Sequence, residues 1–415
     1  MTVRNDMLAR LEARRPGFSL DREFYRDEAY FQLDLENIWY RDWLFVAHDC
    51  ELPAAGNFLT VTVGEYPVVL VRDRQGGLRA FHNVCRHRGS RVCLTEKGRT
   101  AKLVCPYHQW TYDLDGQLIF ARQMGEDFDP KQFGLRPVAC ESVSGYIFIS
   151  LADQPEDFAP MRARLEPYFA PHRLGESKVA FESTIIEKGN WKLVWENNRE
   201  CYHCAANHPE LCKTYPETPR ITNVDGVGDD PDFQKLWADT AARGLMNEFE
   251  MTPDGQARVV RVPLLRDAES YTMTGRRAVA RELSDDVPGA GIGALLMFHY
   301  PSSWNHVMID HAVTFRVLPL TPLTTAVTTK WLVHKDAVEG VDYDLETLTH
   351  VWTETNQQDR RIVEDNASGV ASPAYLPGPY SEFHEGGVMQ FVDWYARTIE
   401  ERLRGDDRPA LRSVG

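Results

Sequence analysis

The sequence predicts an α+β protein in which an all-β domain precedes a larger domain of sheet and helices. Three observations lead there. Across residues 43–151 short β-rich runs alternate with turn signals. Beyond residue 155 that texture gives way to mixed signals, and near the end apolar residues recur at helical spacing. With 415 residues the chain is long enough for two ordinary cores.

The elements follow in order. Residues 58–63 and 67–71 read as strands parted by Gly64. Asp73-Arg74-Gln75-Gly76-Gly77 and Asp113-Leu114-Asp115-Gly116 are turn chemistry, and residues 145–151 supply another strand. Residues 155–178 are polar and helix-permissive, with prolines at 155, 160, 167 and 171. Residues 190–203 read as a helix, and 312–318 and 325–333 as strands of a larger sheet. Residues 343–365 carry Leu345, Leu348, Val351 and Trp352 at helical spacing. Residues 387–404 do the same with Val388, Phe391, Val392, Tyr395, Ile399 and Leu403. A sheet covered by a long C-terminal helix is the simplest architecture for this order, with a domain boundary near residue 155.

The formal net charge of −15 disfavours non-specific attraction to nucleic acid or to an anionic membrane. The first residues resemble no signal peptide and no apolar stretch is long enough for a bilayer, so a cytoplasmic location is expected. Eight cysteines in such a chain read as metal ligands or small buried residues rather than a disulfide framework.

Two of them sit beside histidines in matched half-motifs, Cys85-Arg86-His87 and Cys105-Pro106-Tyr107-His108. Each half offers one thiolate and one imidazole, the ligand set of a Rieske [2Fe–2S] centre, whose two imidazoles raise the reduction potential. A Cys2His2 zinc site would pair cysteine with cysteine and histidine with histidine, and here each motif mixes them. Gly89 and Pro106 suit loops that close over a cluster.

A second constellation is Asn197-Asn198-Arg199-Glu200-Cys201-Tyr202-His203-Cys204-Ala205-Ala206-Asn207-His208-Pro209. On a helix Glu200 and His203 share a face. His203 and His208 are five apart, about 140° round a helix at ~100° per residue, so one regular helix would not converge them. Pro209 pushes His208 out of the α region, which lets a helix end aim both imidazoles at one metal. A carboxylate would complete the facial triad of a non-haem Fe(II) oxygenase. Asp359 is the best candidate, with Glu364 and Asp365 as competitors. Cys201, Cys204 and Cys212 offer a rival zinc reading, which would leave Asp359 and the first cluster without a shared purpose.

With these motifs in hand, residues 81–112 resemble the Rieske domain of the ring-hydroxylating oxygenases, the Rieske non-haem iron oxygenase superfamily. The likeness runs from about Tyr25 to Arg397, carried by residues 81–91, 103–114, 190–211, 329–343 and 377–380. Respiratory Rieske proteins have a further cysteine in each ligand loop; here Ser90 and Gln109 lie near those places, so Cys93 reads as a non-ligand. The resemblance implies an N-terminal helical segment (1–40) packed on the catalytic domain, a Rieske domain (41–155), and a helix-grip (START-like) catalytic domain (156–415) with an antiparallel sheet. It implies a [2Fe–2S] cluster on Cys85, His87, Cys105 and His108, and Fe(II) on His203, His208 and Asp359. Glu200 would bridge to a Rieske histidine, His108, of the neighbouring subunit of a homotrimer. Most members have Asp there; the longer Glu resembles the branch that acts on quaternary amines. Ala367 departs from relatives, which tend to have Gln two residues before a glycine matching Gly369.

That branch implies an oxygenase component that N-demethylates a quaternary ammonium, glycine betaine or proline betaine (stachydrine), with O2 and electrons from an NAD(P)H-dependent flavin/iron–sulfur reductase. Such a cation is best held by aromatic faces. Trp304 leads the candidates, with Tyr271 and Phe298 beside it and Trp237, Phe249, Tyr300, Phe315 and Trp331 behind. His306, His311, Asn305 and Arg316 are candidate donors to a carboxylate. Arg86, Arg88 and Arg91 form a basic patch that could dock an acidic electron donor. The alternatives are an aromatic ring dioxygenase, a choline or carnitine monooxygenase, and a pure Rieske electron carrier.

Overall fold

The structure is a computed structural model and describes residues 2–215, 230–247, 249–287 and 289–405. The first half holds ten strands: β1 (Leu44–His48), β2 (Asn57–Val63), β3 (Tyr66–Arg72), β4 (Leu78–His82), β5 (Lys97–Arg99), β6 (Leu103–Val104), β7 (Thr111–Tyr112), β8 (Leu118–Phe120), β9 (Pro137–Val143) and β10 (Tyr146–Ser150). Seven form one sheet in the order β1-β10-β9-β4-β3-β2-β5, and β6-β7-β8 form a small second one. The β2–β3 hairpin turns at Gly64, whose φ is +53° and where a Cβ would lie 2.1 Å from the Tyr40 hydroxyl. Only glycine meets both demands. At the β3–β4 turn the Asp73 carboxylate accepts the amides of Gln75 and Gly77 at 2.9 and 2.7 Å.

The second half is built on a seven-stranded antiparallel sheet of β11 (Lys178–Glu187), β12 (Glu250–Met251), β13 (Ala257–Val262), β14 (Ala294–His299), β15 (Ser303–Val307), β16 (His311–Thr321) and β17 (Thr324–Val333). Its order is β11-β17-β16-β15-β14-β13-β12. The helices Trp191–Asn198, Leu345–Val370 and Gly386–Gly405 share one core with it. Trp195, Val313, Val317, Trp331, Leu348, Val351 and Phe391 all belong to that core. This is the helix-grip arrangement the sequence implies. The strands expected at 312–318 and 325–333 lie within β16 and β17, and both late helices form.

The helix expected across 190–203 does not run through. It ends at Asn198, and a separate turn of helix, Cys204–Asn207, follows. Arg199 leaves the helical region at φ −87°, ψ 5°, and the Glu200 carboxylate then accepts the amides of Tyr202 and His203. A side chain that captures these amides starts the new turn and competes with continuation of the old one.

The N-terminal helices Val3–Ala13, Arg22–Arg26 and Glu28–Asp34 lie against the second half. Lys192 donates to Asp34 with both side chains fully buried, the Tyr25 hydroxyl donates to Glu196 at 2.7 Å, and Arg14 pairs with Asp393 at 2.7 Å. The two halves meet where the Phe45 amide donates to Ser302 Oγ at 2.8 Å and the Asn305 amide donates to the Tyr146 hydroxyl at 2.7 Å. Among the described residues no helix is long and apolar enough to cross a membrane.

Candidate metal centres and substrate cleft

The two Cys/His motifs form tip loops of the same build. The Cys85 amide donates to Ser90 O at 2.8 Å and the Gly89 amide to Cys85 O at 2.9 Å; Cys105 to Trp110 O at 2.9 Å and Gln109 to Cys105 O at 3.0 Å repeat the pattern. The fourth residue after each cysteine has positive φ, +77° at Gly89 and +62° at Gln109. The loops face one another, with His87 Nδ1 and His108 Nδ1 3.2 Å apart. Cys85 and Cys105 are buried, while His87 is exposed. Trp110 stacks on His87 at 4.8 Å and Tyr107 on His108 at 3.9 Å. Two buried sulfurs under two outward imidazoles suit a [2Fe–2S] cluster held at the surface. Cys93 stands outside this group, its thiol pushed up to about 11 by burial. Arg86, Arg88 and Arg91 are exposed around the loop, with Arg88 over the Tyr107 ring.

His203 and His208 flank the Cys204–Asn207 turn rather than sharing a helix. His208 has φ −120°, ψ 65°, outside the α region as Pro209 requires. Their Nε2 atoms are 2.9 Å apart, and Asp359 Oδ1 lies 3.4 Å from His203 Nε2 and 3.0 Å from His208 Nε2. That oxygen is buried and makes no hydrogen bond. Burial opposes charge on His203, yet Asp359 and Glu200 outweigh it and push the imidazole up to about 10. Two imidazoles and a carboxylate converge on one point that favours positive charge, which fits a divalent iron and the facial-triad donor set.

Each imidazole is oriented from behind. Glu200 Oε1 accepts from His203 Nδ1–H at 2.5 Å, and Gln358 Oε1 accepts from His208 Nδ1–H at 2.7 Å. Gln358 is itself fixed by donating to Glu210 at 2.8 Å. Cys201 and Cys204 are joined as a disulfide, so the Cys204 sulfur that lies near both histidines is already committed. Asp359 shares a face of its helix with the buried Trp352 and Thr355, and all three line the same cleft.

The triad opens on a cleft lined by Phe298, Trp304, His306, Trp352 and Tyr215, with Arg199 and Arg258 in the same wall. Of the expected substrate residues, Trp304, Phe298 and His306 line it. Tyr271 does not; it stands one layer behind, 3.3 Å from His306 Nδ1 through its hydroxyl. His306 is buried and pushed down to about 3, so it is a neutral aromatic wall. Phe315 stacks under Trp304 at 4.9 Å as support. Trp237 and Trp331 point elsewhere, to Arg261 O and to Phe181. Of the expected carboxylate donors, His311 faces Asp310, Arg316 holds Val46 O, and the Asn305 amide is spent on Tyr146. The sequence reading missed Arg199, Arg258 and Tyr215; buried arginines carry no signal that separates them from surface ones. Ala367 lies away from the cleft, beside Gly189.

Residues 42–138 match the Rieske [2Fe-2S] domain, and residues 174–401 match the ring hydroxylating alpha subunit (catalytic domain). The chain belongs to the Rieske ring-hydroxylating oxygenase family. It is an oxidoreductase that carries a Rieske [2Fe–2S] cluster and a mononuclear iron, as this family does. Within the family it is 47% identical, over 97% of its own length and 94% of the relative, to the glycine betaine monooxygenase oxygenase subunit of Pseudomonas aeruginosa (strain UCBPP-PA14). It is 49% identical, over 97% and 91%, to the subunit of the same name from Chromohalobacter salexigens. A solved structure of the quaternary ammonium Rieske monooxygenase CntA in complex with L-carnitine superposes with a TM-score of 0.68 at 21% identity, covering 95% of this chain and 98% of that one.

Proposed function

We propose that this chain is the oxygenase component of a Rieske monooxygenase that N-demethylates glycine betaine, with proline betaine as the second candidate. The observation that carries the reading is the cleft: two imidazoles and a carboxylate face a pocket walled by Trp304, Trp352, Phe298 and neutral His306. A quaternary ammonium has no N–H to donate, so aromatic faces are the groups that recognise it. The identity of 47–49% to glycine betaine monooxygenase oxygenase subunits supports the same substrate. A ring dioxygenase would need an apolar slot, whereas here charged and polar groups share the wall. A pure electron carrier would have no use for the triad.

Cys85, His87, Cys105 and His108 hold the [2Fe–2S] cluster, and His203, His208 and Asp359 hold the iron. When bound, the cluster supplies electrons one at a time and the iron supplies O2 activation. The chain's own residues do the rest. Glu200 and Gln358 keep Nδ1 of each imidazole protonated, so that both Nε2 lone pairs face the centre. The aromatic walls exclude water and aim one N-methyl group at the triad. Overall the betaine, O2, two electrons and two protons give the amino acid with one N-methyl group fewer, formaldehyde and water; the hydroxylated methyl leaves as formaldehyde when its C–N bond breaks.

None of the Rieske residues lines the cleft, and His87 and His108 turn outward. In this reading electrons pass between the subunits of a homotrimer, with Glu200 linking His203 to the neighbour's His108. A flavin/iron–sulfur reductase using NAD(P)H feeds the cluster, with the exposed Arg86, Arg88 and Arg91 as its docking patch. The N-terminal segment 1–40, the Rieske domain 41–155 and the catalytic domain 156–415 are the units of this assembly.

The test is a substrate panel with O2 uptake and formaldehyde measured together, a reductase being supplied. Glycine betaine should give formaldehyde in step with O2. A diol from an aromatic acid, with no formaldehyde from either betaine, would overturn the reading.

A further inference from the structure

Cys201 and Cys204 enclose His203 in the run Cys201-Tyr202-His203-Cys204, and their sulfurs are joined. The bridge closes a sequence separation of only 3, so it removes little chain entropy from the unfolded state and is a poor staple for the fold. Its position is what sets it apart. Cys204 Sγ, a ring nitrogen of His203 and one of His208 all lie within 4.8 Å of one another. Donors bound to one zinc at ~2.0–2.3 Å stand ~3–4 Å apart, so a freed Cys204 Sγ needs a shift on the order of 1 Å to join the two imidazoles, within reach of a χ1 rotation. Its backbone is already pinned beside them, because the His208 amide donates to Cys204 O at 2.8 Å. Asp359 Oδ1 supplies a fourth donor, 3.0 Å from His208 Nε2, buried and without a hydrogen bond. Both cysteines line the cleft, Cys201 half-buried and Cys204 buried. A small reductant entering the cleft therefore meets Cys201 first.

We propose that the Cys201–Cys204 pair is a redox gate on the metal centre. As a disulfide it keeps His203, His208 and Asp359 an open iron site; as a dithiol it adds Cys204 and makes the same residues a closed zinc site. The proposal rests on that triad as the iron-binding set. Opening is thiol–disulfide exchange with a dithiol reductant. Its thiolate attacks Cys201 Sγ, the S–S bond breaks and Cys204 Sγ leaves; the reductant's second thiol then displaces Cys201. Two electrons and two protons pass to the pair, and the reductant ends as its own disulfide. Zinc then displaces the proton of Cys204 Sγ and takes two nitrogens, one oxygen and one sulfur. Thiolate is a soft donor and favours zinc over ferrous iron, which already ranks below zinc in affinity for such sites. Four protein ligands fill a tetrahedral site, so no position stays open for O2. Exchange with a disulfide oxidant closes the pair again and withdraws the sulfur.

Zinc-edge X-ray absorption reads the ligand atoms directly, on the full chain with its [2Fe–2S] cluster kept and the mononuclear centre emptied by a chelator. The protein is either oxidised with a disulfide reagent or reduced with a dithiol that is then removed without air, and alkylation followed by mass measurement counts the thiols. Reduction should add two thiols and bring in one sulfur ligand at ~2.3 Å, where the oxidised protein shows only nitrogen and oxygen at ~2.0–2.2 Å. In competition between zinc and ferrous iron, reduction should shift the bound metal toward zinc by at least about 10-fold to 100-fold, the range that even a group behind a ligand commands. Cys201→Ser should show the sulfur ligand without any reductant, and Cys204→Ser should never show it, which separates Cys204 from the cluster thiolates. The wild-type comparison needs no variant, so it decides the matter even if neither variant folds. No gain of thiols, or two thiols gained with no zinc–sulfur contact and an unchanged metal preference, overturns the gate and leaves the triad standing. Failure of zinc and iron alike to bind the emptied centre in either state overturns the triad and the gate together.

Discussion

Gln358→Leu is the sharpest probe of how the iron triad is held. The Gln358 amide has its orientation set by Glu210, a carboxylate that can only accept, so Nε2 points there and Oε1 points at His208. An acceptor at 2.7 Å requires the proton on His208 Nδ1, which leaves the Nε2 lone pair aimed at Asp359 and His203. Leucine keeps most of the volume and removes the acceptor. His208 is 1% exposed, so water does not replace it. A buried N–H left unsatisfied costs ~1–3 kcal/mol. At ~1.4 kcal/mol per decade this is about 5-fold to 100-fold in iron affinity, the range typical for partners of metal-bound histidines. Iron retained by the purified protein against a graded series of chelator concentrations measures it, with the visible absorption of the [2Fe–2S] cluster as the control for folding. An affinity within twofold of wild type, on a folded protein with an intact cluster, would refute the orienting role.

Three further outcomes are expected. Glu200→Gln should retain both metal centres and lose turnover on the order of 100-fold, with slowed reoxidation of the reduced cluster by O2 and substrate; full activity would remove Glu200 from the electron path. Burial pushes Glu196 up to about 7 from 4.5, so its contribution to stability is complete below pH 4.5 and is lost as pH rises towards 7, ~3 kcal/mol in all. The difference in unfolding free energy between wild type and Glu196→Gln should therefore fall between pH 5 and 7.5, and a flat difference would contradict this. Lys192→Met strands the buried Asp34 carboxylate and should cost ~3–5 kcal/mol in urea unfolding, with Lys192→Met/Asp34→Asn recovering much of it; no recovery would mean that the charge is not the cause.

The Rieske loops were legible because their chemistry is local. Cys85 and His87, or Cys105 and His108, sit within one turn, and the hydrogen bonds that shape each loop close over a few residues. The strands β16 and β17 and the two late helices were legible from apolar periodicity, which a half-buried element cannot avoid. Asp359 was harder. Its helix was evident, yet choosing it over Glu364 and Asp365 needed the family pattern, since all three are carboxylates on one polar stretch. The break after Asn198 was missed because Glu200 competes with the helix through amides it reaches only once the chain has turned.

By itself the sequence determined the Cys/His and His/His motifs, the order of the β and mixed halves, and the helices whose faces repeat. The tertiary structure decided which side chains meet in the cleft. Tyr271 fell one layer behind, while Arg199, from a helix end, and Arg258, from a strand, came together over Phe298. The physical reason is that a motif is written in bonds that span a few residues. A cleft wall is written in strand register and helix packing, and there one residue of shift turns a side chain to the opposite face.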